Sequence, residues 1–233
     1  MPSFGRKSPA PPPPLDPDQW RPQQFGRGGR IPKEAIIEPS WNGIRVLALF
    51  QGGRMRLVDT EGVDCTAEFQ ETSDAMTAAA VASALVLDGF LTSEPTQDLT
   101  GITTPEFAGP NAGQLMAQLF VGERLARPAQ SAERTQNLAS GGPVAFVAVD
   151  LLTIDDTILF DVPLLERKRL LDGALEQSEL VRVTPFIRPP IGSLLNTWRG
   201  NGFDALAYKG ANSRYMPNLR NDDWSIVRMP PMR

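Results

Sequence analysis

The chain contains no histidine and only one cysteine, Cys65, among its 233 residues. Without histidine, hydrolysis of the Ser-His-Asp type, histidine metal sites and histidine acid–base catalysis are all excluded. A single cysteine cannot form an intramolecular disulfide or a cysteine-based zinc site. These five kinds of catalytic or structural centre are therefore absent from this chain, and no disulfide partner is expected.

Long apolar runs are also missing. No uninterrupted apolar stretch approaches the roughly 20 residues that a membrane-spanning helix needs, and the N-terminus has no apolar signal core. We therefore expect a cytoplasmic protein without a membrane partner. The formal net charge is −4, so bulk charge does not indicate a nucleic-acid-binding protein. The apolar fraction of 41% is enough for a sizeable core.

Residues 1–30 differ in composition from the rest of the chain. They carry four consecutive prolines at positions 11–14 and end in Gly26-Arg27-Gly28-Gly29-Arg30. This composition buries little apolar surface and predicts a disordered Pro/Gly/Arg-rich tail, followed by one domain over residues 31–233. The tail has a charge of +3, which leaves −7 for the remainder. It is either a flexible tail or a basic arm that contacts nucleic acid or a partner.

Hydrophobic patterning predicts a mixture of strands and helices. Apolar runs at 44–50 and 54–59 flank Gln51-Gly52-Gly53 and predict a β-hairpin. The alanine-rich segment 73–84 predicts a helix with Thr72 or Ser73 as N-cap. A second helix with a charged face is predicted over 163–175. Further strands are predicted at 84–91, 144–152, 158–160, 180–186, 203–208 and 224–227, and further helices at 114–125 and 191–199. Because strands and helices do not alternate strictly, the predicted fold class is α+β.

One stretch before the first apolar strand resembles a known active-site motif. It reads Glu38-Pro39-Ser40-Trp41-Asn42-Gly43-Ile44-Arg45. This is similar to the first motif of the ATP-dependent DNA ligases, Lys-x-Asp-Gly-x-Arg, in which the lysine takes AMP from ATP. Gly43 and Arg45 match the motif. Ser40 stands at the lysine position and Asn42 at the aspartate position.

Further fragments of the same family follow in the expected order. Leu87-Asp88-Gly89-Phe90 resembles the ligase Leu-Asp-Gly-Glu motif, with Phe90 in place of the glutamate. Residues 146–152 resemble the motif whose aromatic residue packs on adenine, here Phe146. The remaining fragments lie at 56–66, 164–168, 202–209, 213–217 and 223–228. The resemblance covers about residues 31–230. It implies a nucleotidyltransferase fold of the ligase adenylation-domain type, with antiparallel sheets flanked by helices and without the oligonucleotide-binding domain.

The resemblance also implies that much of the family's chemistry is lost. Self-adenylation needs an amine of depressed pKa, and a serine hydroxyl at position 40 ionises far above the lysine pKa of about 10.4. Phe90 cannot bind a cation, and Ile226 removes a lysine that would neutralise phosphate charge. Asp204, at a glutamate position, is the remaining metal-ligand prediction. ATP is still the implied nucleotide, with weakened Mg²⁺ binding.

The retained residues leave alternatives open. Arg45, Phe146, Lys209 and Arg228 are the predicted nucleotide-binding residues. Arg45 and Lys209 also fit solvated surface positions, and Phe146 also fits a core position. Asp150 lies in an apolar strand and needs a partner if it is buried, so a structural hydrogen bond is its expected role.

The functional prediction is a degenerate ligase-like domain that cannot self-adenylate. We expect it to bind nucleotide, DNA or a DNA-repair protein. One alternative is a weakly active ATP-dependent ligase or adenylyltransferase with relocated groups, in which Lys33 is a conceivable nucleophile. The other is a structural partner-binding module whose nucleotide pocket is filled by Phe90 and Ile226.

Overall fold

Two β-sheets pack on each other in the computed structural model, which describes residues 16–27, 29–93, 138–139, 142–189 and 194–229. The strands are β1 (Ala35–Pro39), β2 (Ile44–Gln51), β3 (Arg54–Asp59), β4 (Ala84–Thr92), β5 (Ala145–Ile154), β6 (Thr157–Ile158), β7 (Val181–Val183), β8 (Ala205–Gly210) and β9 (Trp224–Arg228). The helices are α1 (Gln70–Ala79), α2 (Leu164–Asp172) and α3 (Leu194–Gly200), with short 3₁₀ turns at Pro17–Gln19 and Ala67–Phe69.

The sheets differ in size. The large sheet has six strands in the order β3-β2-β4-β5-β6, with β7 also paired to β5, and the small sheet has the order β1-β8-β9. Neighbouring strands are antiparallel except for the β5–β7 pair. This arrangement confirms the predicted α+β class with antiparallel sheets and flanking helices.

The centre of the large sheet follows the predicted pattern closely. β2 and β3 form the expected hairpin around Gly52 and Gly53, with Gln51 paired to Arg54. β4 is continuous through Asp88 and Gly89, and its register against β5 shifts between these two residues. A Cβ at Gly89 would lie 2.3 Å from the Phe146 ring, so glycine is needed for the β4–β5 approach.

The first helix lies several residues earlier than predicted. α1 begins at Gln70, directly after the 3₁₀ turn, so Thr72 and Ser73 lie inside it and do not cap it. Their buried hydroxyls donate to the carbonyls of Val144 and Met55 instead. The alanine-rich run continues, but the helix stops at Ala79 because Ala80 forms a β-bridge with Leu175.

Other boundaries also move. β6 and β7 are shorter than the predicted strands 158–160 and 180–186, and β8 lies two residues later than 203–208. In the described part of the chain α3 begins at Leu194 and includes Gly200, which was predicted to lie beyond its end. The helix predicted at 114–125 lies outside the described residues.

Strand alternation gives the large sheet two different faces. On one face Val46, Leu87 and Leu151 join a core cluster with Phe69 and Met76 at α1. On the other face Leu47, Val86 and Leu152 pack against Ile36 and Trp224 of the small sheet. A third cluster joins Val147 and Val149 of β5 to Leu206 and Tyr208 of β8 and Trp198 of α3. The space between the two sheets therefore has apolar walls on both sides.

Residues 16–27, which we call the N-terminal strap, are packed against the domain and differ in this from the predicted disordered tail. Trp20 is 1% exposed and Gln23 is fully buried. The Trp20 and Phe160 ring centroids lie 4.7 Å apart. Gly26 N–H donates to the Trp224 carbonyl oxygen at the edge of β9. The composition of the segment predicted disorder, but its two aromatic residues and Gln23 are enough to anchor it. Residues 1–15 lie outside the described part of the chain.

Within the described residues, no helix has the combination of length and apolar content needed to cross a membrane.

Candidate functional site

Charged side chains are concentrated between the two apolar walls. Alternation along β1, β2 and β8 directs Glu38, Arg45 and Lys209 into this space, next to Ile36 and Leu47. We call the whole group the inter-sheet cluster, and it consists of Glu38, Arg45, Asp88, Asp150, Arg167, Lys168, Lys209 and Tyr215. It contains four cations and three carboxylates, so it carries one excess positive charge when all are ionised.

Arg45, a predicted nucleotide-binding residue, is paired inside the protein. Its Nε and Nη2 donate to the two Asp88 carboxylate oxygens at 2.9 and 2.6 Å. The Arg45 side chain is 11% exposed and Asp88 is fully buried. Tyr215 Oη also donates to Asp88, at 2.9 Å. Burial disfavours the charged guanidinium, but the Asp88 carboxylate outweighs this and raises the pKa of Arg45.

Aromatic rings surround the same guanidinium. The Arg45 Cζ lies 5.3 Å from the ring centroid of Phe25, 5.7 Å from that of Trp224 and 5.9 Å from that of Phe90. Cation–π attraction favours this arrangement. Phe90, at the position of a family glutamate, therefore packs on a cation of the chain itself.

Asp150 has a closely similar partner on helix α2. Arg167 Nε and Nη2 donate to its two oxygens, both at 2.8 Å, and both side chains are fully buried. Arg167 Nη1 also donates to the carbonyls of Val162 and Ser213. The Asp150 side chain also accepts the backbone N–H of Leu151. The expected structural role of Asp150 is thus confirmed.

The third group places one carboxylate between two lysines. Glu38 Oε1 lies 2.5 Å from Lys168 Nζ, and its Oε2 lies 2.8 Å from Lys209 Nζ. All three side chains are 1% exposed. Glu38 therefore forms an ion pair with each of the two lysines. Lys209 Nζ also lies 4.3 Å from the Trp224 ring centroid. Lys209, another predicted nucleotide-binding residue, is therefore also paired within the chain.

The pKa of Lys168 is lowered by its surroundings. Burial is the main cause that lowers its pKa, to about 8, and the nearby charge of Lys209 acts in the same direction. Glu38 opposes both effects. The Lys168 amine therefore loses its proton much more readily than an ordinary lysine.

The motif-like stretch itself lies at the end of β1. Ser40 is half-buried, and its N–H donates to the Ala205 carbonyl oxygen. Asn42 is exposed. Gly43 has a φ of +130°, and a Cβ there would lie 2.1 Å from the Leu91 carbonyl oxygen. The retained Gly43 is thus required by the close approach of the backbone to β4.

The other predicted site residues lie apart from the cluster. Phe146 is fully buried in the core cluster next to α1, with its ring on Gly89, which favours the packing interpretation over an adenine platform. Arg228 is exposed on β9, where it pairs with Ala205. Asp204 is exposed just before β8. In the described part of the chain, no three Asp, Glu or Cys side chains are grouped so as to hold a metal ion. Lys33 is exposed.

The two facing sheets and the motif residues between them define a nucleotidyltransferase-type domain. The model of the ATP dependent DNA ligase domain matches residues 29–227. The chain belongs to the ATP-dependent DNA ligase family. A probable DNA ligase from Koribacter versatilis (strain Ellin345) is 28% identical over 155 residues, which are 66% of this chain and 23% of that protein.

Solved structures share the fold. The ligase domain of LigD from M. tuberculosis aligns with a TM-score of 0.60 and 21% identity, over 92% of this chain and 61% of that one. A mycobacterial DNA ligase D complexed with ATP and MES gives the same TM-score and identity, over 92% of this chain and 62% of the other. The chain therefore spans about three-fifths of these structures and about a quarter of the Koribacter ligase.

Several cluster members were missed by sequence reasoning. Arg167 and Lys168 lie in the helix that was predicted to have a charged face, but both are buried. The exposed residues of α2 are Glu166, Arg169 and Asp172. Tyr215 of the cluster was not singled out, and neither was Phe25, whose ring packs on Arg45 from outside the cluster. The available signal was the family fragment at 164–168, since adjacent basic residues in a short helix with a leucine face cannot all point to solvent.

Proposed function

We propose that this ligase-family domain does not form an enzyme–AMP intermediate and acts as a binding domain, with DNA as the partner that its family implies. One observation carries the proposal. The buried cations that face the inter-sheet space are held by carboxylates of the same chain, at 2.5–2.9 Å. A nucleotide phosphate would have to compete with these carboxylates.

The residues present do not fit a metal–ATP centre. Ser40 offers a hydroxyl in place of a nucleophilic amine, and no histidine exists to activate it. Phe90 packs on Arg45 and provides no metal ligand. Asp204 is exposed and belongs to no acidic group among the described residues. We therefore derive no transfer step through ATP or Mg²⁺.

The test of this proposal is the intact mass of the full chain after incubation with ATP and Mg²⁺ or Mn²⁺. We expect the unmodified mass, while an active ATP-dependent ligase treated in parallel gains one AMP. A one-AMP adduct on this chain would overturn the proposal.

A specific observation favours one alternative, the weakly active enzyme with a relocated nucleophile. The lowered pKa of Lys168, about 8, provides a larger fraction of neutral amine near pH 7 than an ordinary lysine. Lys168 and Lys209 both pair with Glu38, and Lys209 also lies over the Trp224 ring. An adduct in the mass experiment would therefore be mapped first to Lys168, with Lys168→Met as the confirming variant.

DNA binding is supported by the exposed basic side chains from the last residue of the strap to the start of β1. Arg27, Arg30 and Lys33 are all exposed in this stretch. Phosphate contacts of this kind make affinity fall steeply with salt, with a slope of about 0.9 per contact on duplex DNA. Replacing all three residues by glutamine should weaken duplex binding and reduce that slope by up to about three.

The matched control removes the same charge elsewhere. Arg54, Arg169 and Arg188 are exposed residues on β3, on α2 and beyond β7, and their replacement by glutamine should leave the salt slope unchanged. Equal effects of the two triple variants would indicate non-specific attraction only. If neither variant affects binding, the basic-arm hypothesis is wrong, and the structural partner-binding module becomes the better interpretation.

A further inference from the structure

The N-terminal strap covers the one arginine of the cluster that solvent can reach. The Phe25 ring lies 5.3 Å from the Arg45 Cζ, the shortest of the three ring contacts to this guanidinium. Phe25 also packs on Trp224, with ring centroids 5.7 Å apart. Phe25 thus completes an aromatic enclosure whose other members come from β4 and β9.

The strap reaches Asp88, the partner of Arg45, by a second route. The Gln23 backbone N–H donates to Tyr215 Oη at 3.0 Å, and Tyr215 Oη donates to Asp88 Oδ2 at 2.9 Å. The Met216 N–H in turn donates to the Gln23 side-chain oxygen at 2.7 Å. The strap therefore orients the Tyr215 hydroxyl, which donates a hydrogen bond to Asp88. Asp88 in turn orients Arg45.

Strap residues outside this contact provide the anchor. Trp20 and Gln23 are buried, Arg21 N–H donates to the Asn218 side chain, and Asp18 pairs with Arg56 at the surface. The strap also lies N-terminal to residue 29, where the match to the ligase family begins. A segment outside the matched region is thus built into the candidate binding site.

We propose that Phe25 and the Gln23–Tyr215 hydrogen bond position Arg45 in its pair with Asp88 and so withhold its guanidinium from phosphate-bearing ligands. This inference rests on the proposed function, in which the domain acts without transfer chemistry and the inter-sheet cations are held by carboxylates of the same chain. The strap is accordingly an internal competitor that sets the affinity of the site for phosphate groups.

The experiment compares ATP binding by the full chain and two variants, measured by calorimetry without added metal. Phe25→Ala removes the ring over Arg45, and Tyr215→Phe removes only the hydroxyl and keeps the buried ring. Phe25→Ala should bind ATP roughly two- to fivefold more tightly than the parent chain, the ratio that corresponds to one cation–π contact. Tyr215→Phe leaves all three rings over Arg45 in place and should give a smaller gain. Phe25→Leu, which keeps apolar cover without a π-system, should give an intermediate value.

Two controls separate positioning from general loosening. Asp18→Asn breaks only the exposed pair between the strap and Arg56, and should leave ATP affinity unchanged. The double variant Phe25→Ala with Arg45→Ala should lose the gain, because the gain depends on the released guanidinium. A gain that persists without Arg45, or no gain in either single variant, would overturn the inference.

Intact mass is recorded on the same samples. An AMP adduct would contradict the proposed function, whereas unchanged affinity without an adduct contradicts only the role of the strap.

Discussion

Two arginine–aspartate pairs of the same geometry lie on neighbouring strands, but their surroundings differ. Asp88 on β4 and Asp150 on β5 are paired in register, and each accepts two hydrogen bonds from one guanidinium. Arg167 is fully buried and makes further hydrogen bonds to two carbonyls. Arg45 is 11% exposed and is surrounded by aromatic rings. The Arg167–Asp150 pair therefore has a structural role. The Arg45–Asp88 pair is the one that we propose can be exchanged for a ligand.

Breaking the structural pair should give the largest effect. Arg167→Met leaves Asp150 buried without its counter-charge, which should reduce the free energy of unfolding by about 3–5 kcal/mol in urea titrations. The matched double variant Arg167→Met with Asp150→Leu should recover most of this loss, because no unpaired charge remains. Equal instability of the single and double variants would show that packing, not the unpaired carboxylate, dominates.

Glu38 and its two lysine partners should differ in how much their substitution lowers the free energy of unfolding. Glu38→Gln leaves two buried ammonium groups without a carboxylate and should cost on the order of 3 kcal/mol of unfolding free energy. Lys168→Met leaves the Glu38–Lys209 pair intact and removes the excess positive charge, so it should cost less than about 1 kcal/mol or stabilise the domain. Urea titrations of both variants test this difference. If Lys168→Met lowers the free energy of unfolding as much as Glu38→Gln does, Lys168 does not carry an uncompensated charge in the folded domain.

Arg45→Met should be milder than Arg167→Met. Asp88 keeps the Tyr215 hydroxyl and gains access to water through the opening that Arg45 now fills. We expect a loss of about 1–3 kcal/mol in unfolding free energy, the cost of one poorly satisfied buried group. A loss equal to that of Arg167→Met would remove the distinction between the structural pair and the exchangeable pair.

The lowered pKa of Lys168 gives a pH dependence of stability. Between about pH 8 and the usual lysine pKa near 10.5, the unfolded chain holds a proton on Lys168 that the folded chain has released. Stability from this group therefore rises with pH in that window, by on the order of 1–3 kcal/mol in total.

Other groups change stability in the opposite direction over the same pH range. Burial raises the pKa of Cys65 to about 12, and it also raises the pKa of Tyr208 and Tyr215. The informative quantity is therefore the difference in unfolding free energy between the parent chain and Lys168→Met, in which these groups cancel. That difference should move in favour of the parent chain as pH rises, and a constant difference would contradict the assigned pKa shift.

The sequence predicted the parts of the fold that rest on local pattern. The β2–β3 hairpin and the apolar strands β4, β5 and β9 follow from alternation and turn residues, and the family fragments identified the fold. The end of α1 could not be predicted, since the alanine run 78–80 continues and only the bridge to Leu175 stops the helix. The docking of the strap was hidden by its proline-rich composition, because Trp20 is buried by residues about 140 positions away such as Phe160.

Only part of the candidate site was predictable from the sequence, and the ion pairing of its residues was not. Ser40, Phe90 and Ile226 led to the prediction of lost transfer chemistry from their motif positions alone. The commitment of Arg45 to Asp88, and of Lys209 to Glu38, depends on distances across two sheets, which no local pattern contains. Sequence reasoning therefore left Arg45 and Lys209 open between ligand contact and surface residue, and the structure places both inside the protein in ion pairs.

The most direct test of the central claim is the intact mass of a Ser40→Lys variant after incubation with ATP and Mg²⁺. If the cations between the sheets are held by the carboxylates of the chain, restoring the nucleophile alone is not sufficient, and the variant should keep its unmodified mass. A one-AMP adduct on Ser40→Lys would show that the inter-sheet space already accepts ATP in a reactive position, and it would contradict this account.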